Sequence, residues 1–155
     1  MKTALRLFAL TLLLGISCTS NKPIEVYQKF DNQSWHRYRT LKFEIPLNSS
    51  KQSYDIILFA HITKVFEFET LDFNMVMNTP SGEERINEYQ LKIKSSAGSL
   101  LGKCNEDYCI YTSPLKKGIS ITEAGVLKIE LENLTPRIET KGIVGIGVRL
   151  LEVVK

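Results

Sequence analysis

Period-two alternation of apolar residues runs through nearly every apolar stretch beyond residue 23 of this 155-residue chain, and it limits what the chain can become. Residues two apart on a strand share one face, so each stretch offers one apolar and one polar side. None sustains the i, i+3, i+4, i+7 pattern of an amphipathic helix. Val26 to Phe30 reads as a short strand, followed by the turn residues Asp31, Asn32, Gln33 and Ser34. Trp35 to Arg39 leads into Leu41, Phe43 and Ile45, a strand expected to stop at Pro46. Tyr54 to Thr63 is the most apolar stretch, and consecutive Ile56, Ile57, Leu58 and Phe59 suit a central strand covered on both faces. Phe66 to Met77 alternates with a phase slip near Thr70, expected as a bulge or a break between two strands. Thr79-Pro80-Ser81-Gly82 is hairpin-turn chemistry leading into Glu84 to Lys94. Ser95 to Gly102 reads as a loop, Ile110 to Leu115 as a strand, and Lys116-Lys117-Gly118 as a turn. Gly125 to Leu131 and Ile143 to Val154 complete the set, with a connection between them broken by Pro136. Eight or nine strands without a helix predict an all-β fold: an antiparallel two-sheet β-sandwich, jelly-roll-like, in one domain.

The first eighteen residues decide where such a domain would reside. Lys2 and Arg6 precede Leu7 to Leu14, a run too short to span a bilayer, which needs about 20 apolar residues. Gly15-Ile16-Ser17-Cys18 then has the form of a lipoprotein processing site, with a small residue just before the cysteine. The expected organisation is a signal peptide over 1–17, a lipidated tether over 18–23 and the sandwich over 24–155. Cys18 would carry the lipid, and two or three acyl chains at about 0.8 kcal/mol per buried methylene give durable anchoring. An ordinary secretory signal with an incidental cysteine is the competing reading. The formal charge of +3 includes Lys2 and Arg6, so the remaining chain offers no basic excess for nucleic acid.

Lipidation of Cys18 would leave Cys104 and Cys109 as the only thiols. In an oxidising compartment they suit a disulfide across a tight turn; free thiols and a metal site are the alternatives. A metal would need about four ligands, and His36 and His61 are distant in sequence. No cofactor is expected. Catalytic motifs are absent from the sequence: no Gly-x-Ser-x-Gly elbow and no phosphate-binding glycine loop. Glu67, Glu69 and Asp72 could serve glycoside hydrolysis or calcium, and Asn105, Glu106 and Asp107 could serve calcium, but a solvated face and ordinary turn chemistry explain both groups. His61 is expected as a sheet residue with a hydrogen-bond partner and His36 as a surface residue. Trp35, Tyr38 and Tyr108, with Tyr111, are the aromatics available for stacking on a sugar or a partner. Trp35, Tyr38 and Tyr108 therefore form the candidate partner or ligand surface, although a lone tryptophan beside a strand also suits a core.

Gly142-Ile143-Val144-Gly145-Ile146-Gly147-Val148-Arg149, preceded by Glu123-Ala124-Gly125 and the strand to Leu131, is similar to the last segment of the gliding-motility lipoprotein H (GldH-like) family of Bacteroidetes-type bacteria. Val26-Tyr27, Trp35 before a Phe43-centred strand, the Tyr54 strand and Thr79-Pro80-Ser81-Gly82 follow in the family order, so the resemblance covers nearly the whole chain after the leader. Where the family usually has a Trp- and Gly-rich segment, this chain reads Gly98 to Cys104, which would make a Cys104–Cys109 bridge peculiar to this branch. The resemblance implies a non-enzymatic envelope lipoprotein, bound through its N-terminal lipid to a membrane, expected to be the outer membrane, and acting with other envelope proteins of a motility or secretion assembly. It supplies no small-molecule ligand. A lipid-anchored carbohydrate-binding module is the alternative that the aromatics suggest.

Overall fold

A computed structural model describes residues 22–48 and 51–153. The expectation at Cys18 lies outside the described residues. Eleven strands form among the described residues: β1 (Ile24–Lys29), β2 (Ser34–His36), β3 (Leu41–Leu47), β4 (Gln52–Ile62), β5 (Thr70–Asn78), β6 (Glu84–Lys92), β7 (Lys103–Cys104), β8 (Cys109–Ile121), β9 (Gly125–Asn133), β10 (Glu139–Lys141) and β11 (Ile143–Val153). Every named pairing is antiparallel.

The first sheet runs β1-β11-β4-β8-β7 and the second β3-β9-β5-β6, with β10-β2 as a separate two-stranded ribbon. Numbering only the long strands β1, β3, β4, β5, β6, β8, β9 and β11 in chain order, the sheets read 1-8-3-6 and 2-7-4-5. That is the strand order of a jelly roll, in which each chain excursion crosses between two facing sheets. One apolar core lies between them. From the first sheet it takes Ile56, Leu58, Ala60, Ile62, Ile146, Val148 and Leu150; from the second it takes Leu41, Phe43, Ile45, Leu71, Phe73, Met75, Met77, Leu127, Ile129 and Leu131. A hydrogen bond joins the sheets on each flank: Gln28 Nε2 donates to Lys42 O at 2.7 Å, and Tyr89 Oη donates to Leu115 O at 2.6 Å.

The alternation is visible in the burial of β3, β5 and β9, whose inward residues are buried while their neighbours are not. The strand from Gln52 is central, third of five in its sheet. Three local expectations need correction. Pro46 does not stop β3: it sits within the strand opposite Val126, and β3 is an edge strand, where a missing N–H leaves no neighbour unsatisfied. Lys116-Lys117-Gly118 does not turn the chain. β8 continues through it, Gly118 adopts φ +60°, its N–H donates to Asp55 Oδ1 at 2.8 Å, and the register against β4 shifts there, so an extra residue is absorbed as an irregularity. The phase slip near Thr70 is the boundary of a loop, because residues 63–69 are not strand and β5 starts at Thr70.

Candidate functional site

Two places concentrate side chains that a simple sandwich does not need. The first is the pole where β2 and β10 pair. Trp35 pairs with Thr140 in that ribbon and is fully buried, stacked 6.2 Å from Phe30, with Nε1 donating to Arg39 O at 2.7 Å. Beneath it Asn133 Nδ2 donates to Trp35 O at 3.0 Å and to Thr140 Oγ1 at 2.9 Å, while Asn133 Oδ1 accepts from Thr135 N and Thr135 Oγ1. Thr135 and Thr140 are also hydrogen-bonded to each other. A buried network with both amide groups satisfied fixes this pole. Trp35 therefore belongs to the core and not to a ligand surface: an indole with its N–H already paired gains more by displacing water than by facing it. Tyr38 remains 79 % exposed at the tip, where Ile138 is exposed as well and its carbonyl accepts from Arg37 N.

The second place is the outer face of the first sheet. On β11 the outward positions Gly145 and Gly147 carry no side chain, and rings from neighbouring strands lie across the bare backbone. A Cβ on Gly145 would overlap the Tyr27 ring and hydroxyl, and one on Gly147 would overlap the Phe59 ring. The Tyr27 and Phe59 rings are within 8° of parallel, with centroids 5.8 Å apart. Tyr27 Oη is hydrogen-bonded to His61 Nδ1 at 3.2 Å, and His61 in turn stacks on Tyr108 at 4.6 Å. Over Phe59 sits the Arg149 guanidinium, 5.5 Å from the ring centroid and ion-paired with Glu25. Burial lowers the His61 pKa below the usual imidazole value. Burial first, and neighbouring Tyr108 second, raise that of Tyr27. Tyr27 and His61 thus meet as a neutral pair at pH 7. Within the Tyr38–Tyr108 part of the sequence expectation, the fold separates the two: Tyr38 tips the ribbon, and Tyr108 joins the outer-face row.

Cys104 and Cys109 are disulfide-bonded, with α-carbons 3.8 Å apart and directly opposed in the β7–β8 hairpin. Asn105 Oδ1 accepts from the N–H groups of Asp107 and Tyr108, so the acidic turn is held by the Asn105 side chain. The bridge and this turn position Tyr108 against His61. Glu67 and Glu69 lie in the loop before β5, where Glu67 approaches Arg137 at 4.0 Å, and Asp72 stands on β5. Among the described residues no group of three or more His, Cys, Asp or Glu could hold a metal ion. His36 Nδ1 accepts from Tyr38 N in the tip turn.

Sequence reasoning named Tyr108 but not Tyr27, Phe59, Arg149 or Glu25 as members of one constellation. The pairing of β1, β11 and β4 brings them together, with Tyr108 added from the β7–β8 turn. The available signal was Gly145-x-Gly147 inside an otherwise apolar strand, because strand glycines mark close approach of another group.

The sequence profile of the GldH lipoprotein family matches residues 23–150. The chain is also similar to the gliding motility lipoprotein GldH of Flavobacterium johnsoniae, with 22 % identity over 148 residues covering 91 % of each chain.

Proposed function

The chain belongs to the GldH lipoprotein family, and from that premise we propose that the mature protein is a non-enzymatic, lipid-anchored component of an envelope assembly serving motility or secretion. Cys18 is its lipidated first residue, residues 18–23 are the tether, residues 24–155 are the working domain, and the outer membrane is its location. The observation that carries this reading is the direction of β1. Its first residue, Ile24, is level with Leu150 and Ile56, whereas its last, Lys29, is level with Gly145 and, through it, His61. A tether of six residues reaches roughly 20 Å at most. The anchored pole is thus the one away from Trp35, and Tyr38 and Ile138 point outward from the membrane. Their exposure beside a rigid buried network suits docking to another envelope protein. The non-enzymatic reading is supported by the pairing of the outer-face titratable groups with one another, Tyr27 with His61 and Glu25 with Arg149.

Metabolic labelling with an alkyne fatty acid tests the anchor: wild type takes up label and fractionates with the outer membrane, and Cys18→Ser does neither. A photo-crosslinking amino acid at position 38 or 138 tests the assembly. Adducts with a defined envelope protein are expected; absence of adducts at both positions in intact cells overturns the assembly role.

A further inference from the structure

We propose that the outer face of the first sheet is a binding site for an acidic saccharide. The hydroxyl end of Tyr27 rests over the bare backbone of Gly145 and the residue stays 39 % exposed, so its ring is held in place while part of it faces solvent. A pyranose offers a face of C–H groups and a rim of hydroxyls; the first fits an open aromatic ring and the second fits fixed polar groups. Such groups surround Tyr27: Glu25, Arg149 and His61 are each held in place by a partner on the same face.

The acidity follows from the groove beside the row. It has a volume of about 460 Å³, and its lining includes Arg149, Lys103 and Lys92 with Thr112 and Ile110, but no carboxylate. Arg149 belongs to both features, stacked over Phe59 and lining the groove, so the two are continuous. Its charge is partly spent on Glu25, whereas Lys92 and Lys103 have no ion-pair partner among the described residues. A saccharide stacked on Tyr27 and extending along the groove would place an acidic substituent near those two ammonium groups. A protein partner fits less well. Stable interfaces bury roughly 800 Å² per side around an apolar centre, and here the centre is the Glu25–Arg149 ion pair. Carboxylate-bearing and phosphate-bearing sugars share the required chemistry.

Native electrophoresis of the detergent-solubilised lipoprotein through gels cast with polygalacturonate, phosphomannan or dextran tests the site. Retardation is expected in at least one acidic gel and not in dextran, and the gel that retards identifies the acid. Tyr27→Ala and Lys103→Glu should each weaken it about tenfold. Emission from Trp35, the only tryptophan and fully buried, checks that each variant is folded. Lys103 is exposed, so its reversal reports on binding even where loss of the Tyr27 ring disturbs the sheet. The proposal is overturned by unchanged mobility in both acidic gels, by retardation that survives both substitutions, or by equal retardation in gels containing dextran or oligothymidylate.

Discussion

A glycine inside a strand ordinarily costs stability, and replacing it with alanine ordinarily recovers some by restricting the unfolded chain. Gly147 reverses that sign. An added Cβ would lie 2.6 Å from Val26 O and inside the Phe59 ring, and neither can retreat without moving β1 or displacing Arg149. Gly147→Ala should therefore destabilise by about 2 kcal/mol, the usual cost of overpacking, read from the urea midpoint at constant slope. A stabilised variant would show that the rings rest less tightly on β11 than described. His61 gives a second residue-scale expectation. Its pKa is lowered by burial, so the unfolded chain binds a proton at a higher pH than the folded one, and stability is lost as pH falls below about 6.5. Between pH 7.5 and 5.5 the urea midpoint should fall in wild type and fall less in His61→Phe. Parallel slopes would remove His61 from the account.

Among the elements, the β7–β8 hairpin is held chiefly by its disulfide, since β7 is only two residues long and pairs only with β8. Closing so short a loop contributes about 2 kcal/mol on the chain-entropy account. Cys104→Ser combined with Cys109→Ser should lower stability by that amount and free the Tyr108 ring from His61, seen as faster amide exchange across residues 103–110, while Trp35 emission stays put. If exchange rises throughout β4 and β11 as well, the bridge is a global and not a local support. The strands themselves were legible because alternation reports which face is buried, and one face of each sheet is. Pro46 and Lys116-Lys117-Gly118 misled because both are turn signals in isolation; an edge position excuses the first and a register shift absorbs the second. The outer-face row was not legible, since Tyr27, Phe59, His61 and Arg149 meet only through the register of three strands. Trp35 was ambiguous because nothing local reveals that Asn133, nearly a hundred residues later, donates to its carbonyl and holds β2 against the core.

At the scale of the whole molecule, β1 and β11 are antiparallel neighbours, so the described chain enters and leaves at the same pole. That placement has a mechanical consequence for a protein tethered at one end and gripped at the other. Load applied between the N-terminal tether and Ile138, which leads through β10 into the start of β11, pulls the two strands from opposite ends along their common axis, and the six residue pairs from Ile24↔Leu150 to Lys29↔Gly145 bear it together. Load applied between the two termini acts across the same pairs in succession, starting at Ile24, and peels them one at a time. In single-molecule stretching, the tether-to-tip direction should rupture at a clearly higher force than the terminus-to-terminus direction. Equal forces would show that β1 does not set the mechanical limit. Anchored as proposed, this jelly roll is strongest along the line in which a moving envelope would pull it.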